Sequence, residues 1–425
     1  MNYFGTDGIR GVFGDKLTLD IAFRCGNFFV SKTMLIGMDT RYHSRVIKNS
    51  LAEGVMMAGG KVIDVGICPS ACVAYLTKKL KCDFGAMITA SHNQVQYNGI
   101  KIFDSNGEKI ICTLENKISL QIARKKLSYL AGGKLEYNPS LVLHYEEYLN
   151  GRFNLSGIKI VLDCANGATS KLAQKIFEKN NANVVLINAA PDGENINLKC
   201  GSLHLSSLKR AVKENNATIG FAFDGDGDRV IAVGNTGEVF DGDILLYILA
   251  TNQDLVGISS KAVVGTKMTN GAISSELNKK GIRLLRANVG DSNVAALMKK
   301  NNIQLGGESS GHIILSNYLA TGDGIYTALC IANIIKYTDS DLNDLADFKL
   351  NYALSKSINV EDKLKIVSSK SLKNLIRQIK THFRGRILVR PSGTEECIRV
   401  LVEGDNKKEC DKNVQLIEKL IESLS

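Results

Sequence analysis

Short apolar runs alternate with stretches of helical spacing along most of this chain, and this alternation limits its possible folds more than any other feature. The stretches 44–59 and 170–180, for example, carry apolar residues at helical intervals and end in glycine or asparagine. Strands that alternate with helices predict α/β units with parallel or mixed sheets. The strand-like runs are 34–37, 61–65, 84–88, 158–162, 183–187, 218–223 and 262–264.

The tail of the chain follows a different order. A helical stretch at 371–380 precedes two strand-like runs, 386–389 and 398–402, and a second helical stretch extends from about 407 to 425. This order predicts a small α+β module. With 425 residues the chain is long enough for several domains. We therefore expect three similar α/β domains at 1–150, 151–250 and 251–345, and a C-terminal α+β domain at 346–425.

Composition excludes disordered and fibrous proteins, because 44% of the residues are hydrophobic and only four are proline. The first ten residues lack the basic patch and apolar run of a secretory signal. The longest apolar stretch, 244–250, is far below the roughly 18 residues that span a bilayer. Ten scattered cysteines without a C-x-x-C pair indicate reduced, mostly buried thiols. We expect a cytoplasmic protein with no membrane partner.

The net charge of +10 raises the possibility of a nucleic-acid-binding protein. No recognised nucleic-acid-binding module supports that interpretation, and aromatic residues make up only 6% of the chain. The cations are also spread along the sequence, as on solvated surfaces. We expect no nucleic-acid partner.

Three carboxylates alternate with glycines in the segment Asp224-Gly225-Asp226-Gly227-Asp228-Arg229, between two apolar runs. Their hard oxygens suit Mg²⁺ or Ca²⁺, and glycine lets residues two apart converge on one ion. An EF-hand loop would need glycine and glutamate where this chain has Arg229 and Asn235, so that alternative fails. A solvated acidic turn remains the other interpretation.

A second loop, Thr89-Ala90-Ser91-His92-Asn93, directly follows the apolar run 84–88. No G-x-S-x-G elbow surrounds Ser91, and its neighbour His92 is poorly placed to act as its base without a strained turn. A phosphorylatable serine presented to a metal fits better, since phosphoryl transfer depends on positioning and charge neutralisation. An ordinary turn is the alternative.

Two further loops combine polar side chains with glycine. In the segment 306–312, Glu308 and Ser310 can bind sugar hydroxyls, although a plain surface loop is the alternative. In the segment 390–395, the Arg390 guanidinium, hydroxyls and exposed backbone amides form a candidate phosphate cradle. An ordinary hairpin connection is the alternative there.

Taken in order, these four loops resemble the α-D-phosphohexomutase superfamily over essentially the whole chain. The opening segment 3–11 and the segment 192–202 are similar to the phosphoglucosamine mutase branch. The resemblance implies four domains, the last a phosphate-binding α+β domain. It further implies an enzyme that interconverts glucosamine 6-phosphate and glucosamine 1-phosphate through a phosphoserine and a 1,6-bisphosphate. These products supply UDP-N-acetylglucosamine and cell-wall synthesis.

The resemblance also implies the site residues. Ser91 would be the phosphoserine, and Asp224, Asp226 and Asp228 would hold one Mg²⁺ per active site together with the Ser91 phosphate. The reaction centre would be lined by Arg10, His92, Lys101 and Arg229, with Lys101 and His312 both open as proton-transfer groups. The substrate would be bound by Arg229, Glu308, Ser310, His312, Arg390, Ser392, Gly393 and Thr394. A homodimer is a further possibility.

Several positions depart from the branch pattern: Gln94, Ala71, Lys267, Ser292 and Glu396. Ser292 removes a possible substrate-facing guanidinium, and Glu396 adds a negative charge beside the predicted phosphate cradle. We expect turnover or affinity below those of a typical relative. A phosphomannomutase/phosphoglucomutase of the same superfamily is the nearest alternative, and a binding protein without catalysis is another.

Overall fold

The computed structural model describes residues 3–5, 7–124, 126–392 and 396–425. These described residues form four sheets, of seven, five, four and three strands, with helices packed on each. The first three sheets mix parallel and antiparallel pairs, whereas the pairs of the fourth are antiparallel. This arrangement confirms the predicted fold class of three α/β units and a C-terminal α+β unit.

The first sheet has the order β1-β2-β6-β5-β3-β4-β7. Its elements are β1 (Phe4–Gly5), β2 (Gly8–Val12), α1 (Leu19–Asn27), β3 (Thr33–Met38), α2 (Ser44–Met57), β4 (Lys61–Ile67), α3 (Ser70–Lys79), β5 (Phe84–Ile88), β6 (Tyr97–Asp104), α4 (Cys112–Arg124), β7 (Lys134–Tyr137) and α5 (Leu143–Leu149). The central strands β3, β4 and β5 run parallel because helices connect them, and β6 returns antiparallel to β5. The loop after β5 therefore joins two neighbouring strands.

The second sheet has the order β12-β11-β10-β8-β9 and repeats this plan. Its elements are β8 (Lys159–Asp163), α6 (Ala173–Lys179), β9 (Asn183–Ile187), α7 (Ser206–Glu214), β10 (Ile219–Phe223), β11 (Val230–Gly234) and β12 (Val239–Phe240). Strand β8 is parallel to β9 and β10, and β11 returns antiparallel to β10.

The third sheet, in the order β14-β13-β15-β16, follows the same plan. Its unit contains α8 (Gly242–Thr251), β13 (Ala262–Thr266), α9 (Gly271–Lys279), β14 (Arg283–Ala287), α10 (Asp291–Asn301), β15 (Leu305–Gly307), β16 (Ile313–Leu315), α11 (Gly324–Thr338) and α12 (Leu342–Leu345). Strand β16 returns antiparallel to β15. Residue 250, where the sequence predicts a break, lies within α8.

The fourth sheet has the order β17-β19-β18. Its unit contains β17 (Tyr352–Asn359), α13 (Lys363–Ser368), α14 (Lys370–His382), β18 (Arg386–Pro391), β19 (Cys397–Gly404) and α15 (Lys407–Leu424). It has a hydrophobic core of its own. The Arg386 side chain joins it to the third unit by donating to the carbonyl oxygens of Lys267 and Thr269, each at 2.8 Å.

One hydrophobic cluster runs continuously through the first three units and includes Phe103, Phe223 and Ile325. Each of these units has a hairpin loop that follows a buried parallel strand and leads into an antiparallel one. The segments that carry Ser91, the three aspartates and Glu308 thus occupy equivalent places in three similar units.

Nine of the ten cysteines are buried. Among the described residues, no helix is both long and apolar enough to cross a membrane.

Candidate active site

The loop between β10 and β11 brings Asp224, Asp226 and Asp228 together in the interior. All three side chains are buried, and one carboxylate oxygen from each lies within 4.8 Å of the others. Gly227 has a φ of +70°, a left-handed conformation that favours glycine, and it lets the loop curl. The alternation seen in the sequence therefore produces a cluster of converging carboxylates rather than a solvated acidic turn.

Backbone hydrogen bonds from all three α/β units hold this loop. The carbonyl oxygens of Gly225, Asp226 and Gly227 accept from the amides of Ala168 in the second unit, Ser70 in the first and Gly324 in the third, at 2.8, 2.9 and 3.0 Å. The position of the carboxylates consequently depends on how the three units pack.

Ser91 lies in the loop between β5 and β6 and is completely buried. Its φ of +54° is left-handed, and Thr89 supports this conformation by accepting the Ser91 amide proton at 2.8 Å. The Ser91 hydroxyl donates to Asp224 Oδ2 at 2.5 Å. A side chain on Gly225 would come within 2.5 Å of the Ser91 carbonyl oxygen, so glycine there permits the close approach of the two loops.

Arg41 fixes the loop that carries Ser91. Its buried guanidinium pairs with Asp39 at 2.9 Å and donates to four backbone carbonyl oxygens, those of Ser91, Asn93, Gln94 and Tyr97, at 2.6–3.0 Å. Asn197 of the second unit donates to two of the same oxygens, those of Ser91 and Asn93, at 2.9 and 3.2 Å. Side chains of the first and second units therefore both hold the backbone of this loop.

His92 lies closer to the serine hydroxyl than its sequence position suggests. Its Nδ1 is 3.2 Å from Ser91 Oγ, a contact that the left-handed backbone of Ser91 makes possible. Burial lowers the pKa of His92 to about 3, and the charges of Arg229 and Arg10 add to this effect. The imidazole is therefore neutral at neutral pH.

The ammonium group of Lys101 lies among three carboxylates. It donates to Asp226 Oδ2 at 2.7 Å and to Asp228 Oδ2 at 2.6 Å, and Asp7 Oδ2 is 3.3 Å away. Burial by itself would lower the pKa of Lys101, but the charges of these three aspartates outweigh burial and hold the pKa well above its ordinary value. Lys101 is therefore cationic.

The outer aspartates of the triad have opposite pKa shifts. Burial and the charges of Asp226 and Asp228 raise the pKa of Asp224 well above its usual range. Burial would also raise the pKa of Asp228, but above all the charge of Lys101 holds it well below that range. Negative charge at the Asp224 end is therefore poorly compensated by the cations of the protein.

The triad offers carboxylate oxygens that suit a hard divalent cation. Among the described residues, Asp226 Oδ1 and Asp228 Oδ1 are buried and have no hydrogen-bond partner. Buried polar atoms without a partner are rare in proteins and costly. Carboxylate oxygens that converge and are otherwise unsatisfied are the donor set that Mg²⁺ or Ca²⁺ binds.

Two guanidinium groups flank the cluster. Arg229 Nε is 3.9 Å from Asp228 Oδ1 and 4.0 Å from Asp224 Oδ2, and the backbone of Arg229 bridges to that of His312 in the third unit. Arg10 forms an ion pair with Asp7. Both cations suit a site that receives a phosphate.

Lys109 extends this charged network from the first unit to the third. It forms ion pairs with Asp7 and with Asp291, which begins α10. Burial would raise the pKa of Asp7, but Arg10, Lys101 and Lys109 hold it well below its ordinary value.

In the third-unit loop, the side chains of Glu308, Ser310 and His312 have different surroundings. Glu308 Oε1 accepts from the amide of Gly290 at 2.7 Å, whereas the buried Ser310 hydroxyl has no partner among the described residues. His312 Nε2 accepts from the amide of Gly322 at 3.2 Å, and its Nδ1 is 3.6 Å from Asp228 Oδ2. His312 is thus brought to the triad, and both of its ring nitrogens face protein groups.

In the fourth unit, Arg390 lies opposite Arg399 in the β18–β19 ladder. Burial, and then the charge of Arg399, lowers the pKa of Arg390, and Arg390 Nε is buried without a hydrogen-bond partner in the described part of the chain. Ser392 is also buried. No hydrogen bond or ion pair joins Arg390 to the Ser91 cluster within the described ranges. Gly393 and Thr394 lie outside the described residues.

Comparison with protein families accounts for nearly the whole chain. Domain models of phosphoglucomutase/phosphomannomutase match in order: alpha/beta/alpha domain I at 1–128, domain II at 144–237, domain III at 241–352 and the C-terminal domain at 358–419. Phosphoglucosamine mutase from Clostridioides difficile is 41% identical over 95% of this chain and 94% of its own length. The enzyme of the same name from Buchnera aphidicola is 39% identical over 99% of this chain and 96% of its own length.

The chain belongs to the phosphoglucosamine mutase family. Solved structures agree in fold. A phosphoglucomutase/phosphomannomutase family protein from Burkholderia thailandensis has a TM-score of 0.84 at 23% identity, covering 98% of this chain and 97% of that one. Aspergillus fumigatus N-acetylphosphoglucosamine mutase, solved in complex with GlcNAc-6P and magnesium, has a TM-score of 0.74 at 17% identity, covering 100% and 96%.

Three residues that depart from the predicted pattern make local contacts in the structure. Glu396 forms an ion pair with Lys363 at 3.1 Å, so its charge is compensated by a neighbouring cation. The Ser292 hydroxyl donates to Asp291 Oδ1 at 3.3 Å. The Gln94 carbonyl oxygen accepts from Arg41, a contact that does not depend on the side chain at that position.

The sequence did not predict a role in the site for several residues that contact it. Arg41 lies outside the four loops, and Asp7 and Asn197 lie within the segments 3–11 and 192–202 without an assigned role. Ser70 and Asp291 were not singled out as site residues at all. Each acts on a partner far away in sequence, which local spacing does not reveal.

Proposed function

We propose that this chain is a phosphoglucosamine mutase that interconverts glucosamine 6-phosphate and glucosamine 1-phosphate. The observation that carries the proposal is the contact between the buried Ser91 hydroxyl and Asp224, within a carboxylate triad held by three separate units. The identity of about 40% to enzymes of that name supports the amino-sugar substrate.

Phosphorylation of Ser91 would change the charge balance of the site. The ester oxygen can no longer donate to Asp224, and a phosphate would bring up to two negative charges toward three carboxylates. Lys101 supplies one positive charge to Asp226 and Asp228, away from the Asp224 contact. We propose Mg²⁺ at Asp224, Asp226, Asp228 and the Ser91 phosphate, one ion per site. When bound, it would neutralise charge on the phosphoryl group during transfer.

In the first step, the free hydroxyl of the sugar phosphate attacks the phosphorus of phosphoserine 91. The sugar hydroxyl gives up its proton as its oxygen forms the new P–O bond, the P–Oγ bond breaks to yield the 1,6-bisphosphate, and Ser91 Oγ takes up a proton in turn. Arg10 and Arg229 offset the charge of the transferring group. Lys101 takes part as an ammonium group, because its pKa is held well above the ordinary value despite burial. Lys101 and His312 both remain candidates for proton transfer.

The bisphosphate then turns end for end, and its other phosphate passes to Ser91. In this proposal Glu308 and Ser310 bind the sugar hydroxyls, and Arg390, Ser392, Gly393 and Thr394 bind the phosphate that does not react. The unsatisfied Ser310 hydroxyl and Arg390 Nε support these roles. Burial of Ser91 protects the phosphoenzyme, since a site closed to water limits hydrolysis.

A coupled assay with Mg²⁺ and the 6-phosphates of glucosamine, glucose and mannose tests the proposal. We expect the highest kcat/KM for glucosamine 6-phosphate and no turnover by Ser91→Ala. The control Ser260→Ala should turn over normally, because among the described residues the Ser260 hydroxyl bonds only to the carbonyl oxygen and amide of Ala262. Preferred turnover of glucose or mannose phosphate would overturn the substrate assignment. Full activity of Ser91→Ala would overturn the mechanism.

A further inference from the structure

Ser70 touches the metal triad from a different unit. It is the first residue of α3, it is buried, and its hydroxyl donates to Asp226 Oδ2 at 2.5 Å. Its backbone amide also donates to the Asp226 carbonyl oxygen at 2.9 Å. Two atoms of one residue in the first unit therefore hold both the backbone and the side chain of one aspartate in the second.

The start of α3 places Ser70 for this contact. Pro69 precedes the helix in an extended conformation, with φ −63° and ψ 155°, so the chain enters the helix in a defined direction. The first amides of a helix have no partner within the helix, and here Asp226 accepts from one of them. The first turn of α3 therefore meets the turn of the aspartate loop.

The contact decides which oxygen of Asp226 is available. Oδ2 accepts from Ser70 and from Lys101, whereas Oδ1 is buried and has no partner among the described residues. A carboxylate whose one oxygen is fixed by two donors cannot rotate freely. Its other oxygen, Oδ1, is left without a donor, as is Asp228 Oδ1 in the described part of the chain, and both carboxylates belong to the converging triad.

We propose that Ser70 is a positioning residue that fixes Asp226 so that Oδ1 is presented to a divalent cation. The inference rests on the metal assignment within the proposed function. Ser70 acts through Asp226 and does not itself coordinate the ion. Because it belongs to the first unit, correct packing of the first unit against the second becomes a condition for tight metal binding. Residues that orient metal ligands typically change affinity about 10–100-fold when removed.

Mn²⁺ binding to the full chain, followed by electron paramagnetic resonance of the free ion, tests this role without any substrate. We expect Ser70→Ala to raise the Kd for Mn²⁺ about tenfold. This is the lower end of the range for residues that orient metal ligands, because Lys101 still donates to Asp226 Oδ2. Ser70→Thr keeps the hydroxyl and should restore binding to within about twofold of the wild type. Asp228→Asn should abolish binding, which identifies the triad as the titrated site.

Thr77→Val is the matched control. Thr77 is a buried residue of the same helix whose hydroxyl donates to the Val73 carbonyl oxygen at 2.7 Å, at the end of α3 away from the aspartate loop. It should lower the urea midpoint and leave the Mn²⁺ Kd unchanged.

The inference is overturned if Ser70→Ala binds Mn²⁺ within twofold of the wild type, if Thr77→Val weakens binding as much as Ser70→Ala, or if Asp228→Asn binds like the wild type. Failure of the mutase assay together with the expected Mn²⁺ series would reject the proposed function and leave the role of Ser70 in place.

Discussion

Replacing Arg41 by methionine should both destabilise the first unit and reduce phosphoryl transfer. The substitution removes every hydrogen bond that the guanidinium makes to Asp39 and to the carbonyl oxygens of the Ser91 loop. Asn197 still donates to the Ser91 and Asn93 carbonyl oxygens. The oxygens of Gln94 and Tyr97 lose their Arg41 donor, and the buried Asp39 loses its cation.

The size of the effect follows from these losses. An unsatisfied buried carbonyl costs about 1–3 kcal/mol, and removing one partner of a buried ion pair costs about 3–5 kcal/mol. Asp39 keeps hydrogen bonds from the Ser44 hydroxyl and the residue 41 amide, so we take the lower end of both ranges. The Gln94 carbonyl oxygen keeps a hydrogen bond from the Tyr97 amide at 3.1 Å, so only the Tyr97 carbonyl is counted as unsatisfied. We expect a loss of about 4 kcal/mol. A shift of 1 Å in the position of Ser91 would lower kcat about 10²-fold.

Urea unfolding followed by fluorescence, together with the mutase assay, measures both effects. Arg45→Met is the control, because Arg45 is an exposed residue of the neighbouring helix α2. It should change stability by less than about 0.5 kcal/mol. If Arg41→Met kept its urea midpoint and its kcat within twofold of the wild type, the claim that Arg41 holds the Ser91 loop would be wrong.

Other predictions concern pH and the contact between units. Burial raises the pKa of Asp243 to about 7, whereas an unfolded Asp titrates near 3.9, so the folded state binds the extra proton and stability falls as pH rises from about 4 to 7. The free energy of unfolding of Asp243→Asn, relative to that of the wild type, should therefore increase between pH 4 and pH 8 by about 4 kcal/mol at most. If the two proteins differed by the same amount at both pH values, this reasoning would be refuted. A double-mutant cycle on urea midpoints should give a coupling above about 1 kcal/mol for the largely buried pair Lys109–Asp291, and less for the more exposed pair Lys299–Glu108. Equal couplings would contradict a structural role for the first pair.

The buried strands were predictable because both faces of each strand are covered, which leaves a continuous apolar run. Phe84–Ile88 is observed with the predicted bounds, and Ile219–Phe223 and Ala262–Thr266 differ from prediction by one or two residues. Strand Lys134–Tyr137 was not predicted. All of its residues are exposed at the edge of the sheet, so it leaves no pattern of burial in the sequence.

The candidate site was predictable only where chemistry and local spacing coincide, as in the alternating aspartates. The roles of Arg41, Asp7 and Ser70 depend on partners between 50 and 156 positions away, or on cations brought by other strands. His92 shows the same limit in reverse. His92 contacts Ser91 although the two residues are adjacent in sequence. The contact occurs with the Ser91 backbone in a left-handed conformation, and the sequence does not show that Ser91 adopts it.

Transfer of phosphate from Ser91 to the sugar is the central claim, and an isotope chase tests it most directly. The enzyme is labelled on Ser91 with ³²P from labelled glucosamine 1,6-bisphosphate, and unlabelled glucosamine 6-phosphate is then added with Mg²⁺. We expect the label to leave Ser91 at the rate of turnover and to appear in sugar bisphosphate and then in sugar monophosphate. Label that stays on the protein, or that leaves only as inorganic phosphate, would contradict the account.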